Sequence, residues 1–177
     1  MNASPPLRFG LIFILLFAIL AGAFEASRGT ALERVMVVDL VIVPTAQVLN
    51  AITPDEPVEL HGRALVSGAA RLNVTRGCEG VELLLLLAAA IGAFPASLWH
   101  RLRGLLLGGL LAYALSIGRL VALDLVLRYA PGGWQAMHGL IMPLAPVIIL
   151  SCYFLHWSGV AVAGAGAAAQ AHQSHAT

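Results

Sequence analysis

The sequence predicts an all-α membrane protein of about four transmembrane helices, with an interfacial helix and a small β-hairpin between the first two spans. Composition is the first reason: 59% of the 177 residues are hydrophobic and only 11% charged, where a soluble domain carries about a quarter charged residues. Distribution is the second, because the apolar residues collect into four long runs, each near the length a helix needs to cross about 30 Å of hydrocarbon. The third is where the charges go: five arginines and seven acids fall between the first and second runs. All ten basic residues are arginine and the net charge is +1. No basic block marks a nucleic-acid footprint, so nucleic acid is not an expected partner. Two cysteines are too few for a disulfide framework.

Residues 7–24 form the first run, with Arg8 at its start. The stretch exceeds the usual signal-peptide h-region of about 7 to 15 residues, so it reads as a retained span, although Ala21, Gly22 and Ala23 would suit a cleavage site. Residues 25–79 are an extracytoplasmic segment of different character. Its apolar stretch 35–43 is flanked by Glu33 and Arg34, contains Asp39 and is expected to break at Pro44. A nine-residue helix covers only about 13 Å, too short to span, so residues 31–52 are predicted to hold an interfacial helix. Short alternating stretches within 58–75, around Gly62 and Gly68, predict the β-hairpin or meander.

Residues 80–157 are read as a three-span core. The second span, 81–98, contains Glu82 and Pro95 and leads into a turn at His100, Arg101 and Arg103. The third, 104–127, contains Arg119 and Asp124, which a lipid-facing surface tolerates only at a cost. Gly104, Gly108 and Gly109 along it form a small-residue stripe suited to close helix contact. The fourth, 138–157, carries Pro143 and Pro146 and is expected to kink there. Residues 158–177, rich in alanine, glycine, glutamine and histidine, read as a fraying helix end and flexible tail.

Arginine counts do not orient the chain, since the long segment and the turn after span two both carry arginines. A mixed-charge folded segment translocates more readily than a two-arginine turn between spans, so the N-terminus is placed inside and residues 25–79 outside. In either orientation Cys78, Arg119 and His138 share one face. Cys78 precedes span two, His138 opens span four, and Arg119 lies about 12 Å inward in span three, from where its side chain can snorkel outward. A thiol, a base and a fixed cation at one depth suit nucleophilic acyl transfer, the imidazole taking the thiol proton and the cation favouring thiolate and oxyanion.

Local features bear on the thiol in both directions. Gly77 and Gly80 allow close backbone approach, and the start of a helix favours a thiolate. Glu79 and Glu82 oppose one. Glu82 is a candidate to orient His138 or pair with Arg119, and Ser116, one turn before Arg119, is either a partner of the guanidinium or a small packing residue. Cys152 lies about 21 Å along span four from His138, too far inward to meet Cys78, and reads as packing.

These residues bring a family into view. Pro44-Thr45-Ala46-Gln47, Leu60-His61-Gly62, Arg76-Gly77-Cys78-Glu79-Gly80-Val81-Glu82, Ala93-Phe94-Pro95, Arg101-Leu102-Arg103-Gly104, Gly118-Arg119-Leu120 and His138 occur in that order. Over residues 41–150 the chain resembles the exosortase/archaeosortase family, in particular its short single-domain branch. The resemblance implies a membrane-embedded cysteine protease or transpeptidase of the cell inner membrane. Its nucleophile would be Cys78, with Arg119 and His138 completing the catalytic set; Glu82 and Ser116 are supporting candidates on their own positions, not from the resemblance. The implied partners are exported proteins that end in a short motif, a transmembrane helix and a basic tail, cut at the extracytoplasmic face. Longer members carry serine after the cysteine and asparagine three residues before the arginine, where this chain has Glu79 and Ser116. With fewer spans than those members, the chain leaves an open flank for the substrate helix or for a second copy of itself. No metal or cofactor is expected for this chemistry. The reading from another class is a haem-binding membrane protein with His100 and His156 as axial ligands.

Overall fold

The computed structural model describes residues 5–174 apart from 69, 76 and 78, with side chains from residue 7 to residue 161. Helix α1 (Pro5–Ala26) is followed by α2 (Ala31–Glu33), a π-helical stretch (Arg34–Ile42) and α3 (Val43–Ile52), which run on as one helix. Strands β1 (Glu59–His61), β2 (Ala64–Ser67) and β3 (Ala70–Asn73) form an antiparallel meander. Two more apolar helices follow, α4 (Val81–Ala93) and α5 (Leu98–Tyr129). A 3₁₀ turn (Pro131–Gly133), the short α6 (Trp134–Ala136) and a π-helical stretch (Met137–Ile141) then lead into α7 (Met142–Ser174).

Four helices have the length and composition to cross a membrane, but they are not the four the runs predicted. They are Leu7–Ala26, Ala31–Ile52, Leu98–Tyr129 and Pro131–Ala161. The expected break at Pro44 does not occur, and the length argument for a nine-residue interfacial helix fails with it. Proline lacks an N–H, and its ring crowds the carbonyl four residues back. The chain before Pro44 is wound in wider π turns, with the Val43 N–H donating to the Val38 carbonyl, so the helix passes through the proline without stopping. A π-helical stretch also precedes Pro143, where the Met142 N–H donates to the Met137 carbonyl.

The predicted second span shrinks for the complementary reason. Helix α4 has 13 residues, about 20 Å, because Pro95 pushes Phe94 into extended backbone (φ −75°, ψ 136°). The connection to α5 is therefore Phe94–Ser97, with the Ser97 side chain accepting from the His100 N–H as an N-cap. His100, Arg101 and Arg103 belong to the first turns of α5 instead of forming a turn. At 32 residues, about 48 Å, α5 is longer than a hydrocarbon core is thick. Helix α7 continues to Ser174, past the fraying end expected from residue 158, and residues 175–177 of the expected tail lie outside the described residues.

Helix α5 is the axis of the fold. Its buried face, Gly104, Gly108, Ala112, Ser116, Leu120, Leu123 and Asp124, recurs at three- and four-residue steps. Its first half packs into a helical bundle with α1, α4 and α7, around a cluster of Leu87, Ile91, Ala112, Leu150 and Trp157. A Cβ at Gly104 would overlap the Trp157 indole, and one at Gly108 would lie 2.6 Å from both Leu87 Cδ2 and Tyr153 Cε1. The small-residue stripe is thus a contact face. Cys152, expected in packing, is exposed at the surface of α7.

The second half of α5 carries a cap formed by the Ala31–Ile52 helix and the meander. Val37, Ile42, Leu49, Leu65, Leu120 and Leu123 are fully buried in its cluster. The meander pairs Glu59 with Val66 and Ser67 with Ala70 at its two ends, and it turns Leu65 and Leu72 inward. Asn50 ties it to α3: Asn50 Oδ1 accepts from the Val58 N–H at 2.6 Å, and Nδ2 donates to the Val58 carbonyl at 3.3 Å.

Candidate active site

Cys78 and Arg76 lie outside the described residues, and Gly77, Glu79 and Gly80 are described. Gly77 and Gly80 both have φ of +80°, a left-handed conformation that glycine adopts without a Cβ clash. A Cβ at Gly80 would overlap Ser116 Oγ, so the start of α4 is pressed against α5 at that residue. The Ser116 hydroxyl donates to the Ala112 carbonyl at 2.8 Å. Of its two expected roles, Ser116 therefore takes that of the small packing residue.

Arg119 follows one turn later on α5 and is 9% exposed. His138 sits in the π-helical stretch before α7, stacked on Trp134 with ring centroids 4.9 Å apart and planes 6° from parallel. Trp134 and Met137 pack on the cap cluster beside Leu120 and Leu123 of α5. That brings the His138 turn to the half of α5 that begins near Arg119. His138 Nδ1 is buried and has no hydrogen-bond partner among the described residues.

Residues the sequence reading did not assign form a charge network here. Glu79 is fully buried, and its Oε1 accepts from Arg63 and, at 3.3 Å, from Arg28. The same two guanidiniums meet Glu33, Arg28 at 3.2 Å and Arg63 at 2.8 Å. Glu33 also accepts from the Gly29 N–H at 2.6 Å. Hydrogen bonding to Glu25, with the charges of Glu79 and Glu25 and a hydrogen bond to Glu33, holds the Arg28 guanidinium above its ordinary range. Glu82, expected to meet Arg119 or His138, lies 3.9 Å from the Arg28 guanidinium. The acids flanking Cys78 are thereby matched by arginines from the α1–α2 connection and the β1–β2 turn. The signal for this was in the sequence, as the five arginines and seven acids of residues 25–79, but linear order does not say which acid meets which base.

A second buried pair closes the far end of α5. Asp124 and Arg128, four residues apart, are 2.5 Å from each other, and Arg128 also donates to Thr53 Oγ1 and the Glu56 carbonyl. Spacing alone could have found it.

The histidines of the haem reading are held differently. His100 stacks on Trp157 with centroids 5.0 Å apart, its Nε2 lies 3.3 Å from the Trp157 carbonyl, and Trp157 Nε1 donates to the His100 carbonyl at 3.3 Å. His156 is exposed on α7, so the Trp157 indole, not a second imidazole, lies against His100. No cluster of three or more metal-ligating side chains occurs among the described residues. No protein-family model, curated protein or solved structure matches the chain.

Proposed function

We propose that the protein is a membrane-embedded cysteine peptidase or transpeptidase. It cuts a membrane-tethered substrate at the extracytoplasmic face of the inner membrane, removing a C-terminal sorting signal. The observation that carries this reading is the packing of Gly80 on Ser116, which brings the chain two residues after Cys78 against α5 one turn before the buried Arg119. The Nδ1 of His138, buried and without a hydrogen-bond partner among the described residues, supports it further, because a base needs a free ring nitrogen. Cys78 attacks the scissile carbonyl after His138 takes the thiol proton, and Arg119 steadies the thiolate and the oxyanion. His138 then returns the proton to the leaving amine, and the thioester is resolved by water or by an acceptor amine.

The test is Cys78→Ser in the intact membrane protein, co-expressed with candidate exported proteins bearing a C-terminal motif, an apolar helix and a basic tail. The variant is expected to accumulate at the wild-type level and leave the substrate full length. Normal processing by the variant overturns the reading.

A further inference from the structure

The Glu79 network reaches beyond the three residues of the proposed mechanism. Four side chains from four separate parts of the chain converge: Arg28 from the α1–α2 connection, Glu33 from α2, Arg63 from the β1–β2 turn and Glu79 from the approach to α4. Glu79 is fully buried and Arg28 and Glu33 are only 12% and 13% exposed, while Arg63 is 37% exposed, so the Glu79 carboxylate is sheltered from the screening that makes surface ion pairs weak although Arg63 reaches it from a partly solvated side. It is also forked. Arg63 directs Nη1 to Glu33 and Nη2 to Glu79, a geometry that suits guanidinium and not ammonium.

The position of Glu79 is what gives the network a consequence for chemistry. A buried carboxylate next in sequence to a nucleophilic cysteine disfavours the thiolate unless it is compensated. On the other side of Glu79, Gly80 is locked against Ser116, so the segment cannot swing the carboxylate into solvent without unpacking α4 from α5.

We infer that Arg63, acting with Arg28, is a positioning residue for Cys78: it neutralises and anchors Glu79, so that the thiol of the preceding residue can ionise. This rests on the proposed role of Cys78, but it is read out on the thiol itself and does not need a substrate. The meander, which would otherwise be only a lid on the helices, then serves to deliver Arg63.

The experiment measures alkylation of Cys78 by a maleimide at neutral pH in the full-length, detergent-solubilised protein with Cys152→Ser as background. Arg63→Gln is expected to slow alkylation about tenfold, and Arg63→Lys to recover only part of the loss. Arg63→Gln combined with Glu79→Gln is expected to restore the rate to within about twofold of the background, because the uncompensated charge is removed with its partner. Thermal unfolding of each variant separates this from loss of fold, since an unfolded chain would expose the thiol and alkylate faster. Arg63→Gln alkylating at the background rate, or a double variant no faster than the single one, overturns the inference. If alkylation behaves as expected while no tethered substrate is processed, the peptidase reading fails and the positioning of Cys78 stands.

Discussion

The two halves of α5 lie in different surroundings. Around its first half, the bundle of α1, α4 and α7 is held by aliphatic side chains, stacked rings and glycine contacts, and it turns apolar residues outward: Leu106 is 73% exposed, Leu155 67% and Ile14 63%. Around its second half, the cap buries charge, with Glu79, Asp124 and Arg128 almost wholly enclosed. An outward-facing leucine surface is stable only against hydrocarbon or another apolar partner. A buried charge is stable only with an opposite one beside it. The bundle is thus shaped by what surrounds the protein, the cap by pairing within it, and the joint where Gly80 meets Ser116 is where the proposed chemistry sits.

Breaking a pair in the cap is expected to have the largest effect. Asp124→Ala leaves Arg128 enclosed without its carboxylate and should lower stability by about 3–5 kcal/mol, measured by thermal unfolding in detergent. A loss below about 1 kcal/mol would show that the cap does not depend on charge pairing. At the joint, Gly80→Ala combines a left-handed backbone with an overlap on Ser116 and should cost about 2–4 kcal/mol. Adding Ser116→Gly should recover the overlap share but not the backbone share, which a double-variant cycle separates. In the bundle, Gly108→Ala presses on Leu87 and Tyr153 and should cost about 1–3 kcal/mol. Smallest of all, Leu106→Ala on the outward face should change stability by no more than about 0.5 kcal/mol in detergent; a larger change would place a protein contact on that face.

That the chain forms helices long and apolar enough to cross a membrane was legible, because composition and run length are properties of the chain itself. Which runs become long helices was not, and both differences turn on proline. Pro44 looked like a terminator, yet π turns carry the helix through it; Pro95 looked like an interruption near the end of a span, yet it ends α4 and moves His100, Arg101 and Arg103 into α5. The meander was legible from alternation around Gly62 and Gly68. At the site, Arg119 stood out because a cation in an apolar run is costly, whereas Arg28 and Arg63 lay among other charges in a polar segment and carried no such mark.

By itself the sequence determined an apolar, largely helical chain with a charged insert, and it marked Arg119 as a residue needing a reason. It could do so because transfer free energy is summed residue by residue and the period of a helix is local. Only the tertiary structure decided that Glu79 is enclosed between Arg28 and Arg63, that Ser116 receives Gly80, and that Trp157 lies against His100. Those are contacts between residues 16 to 57 positions apart. Their energy depends on distance in space, which chain closure and packing set and no local pattern encodes.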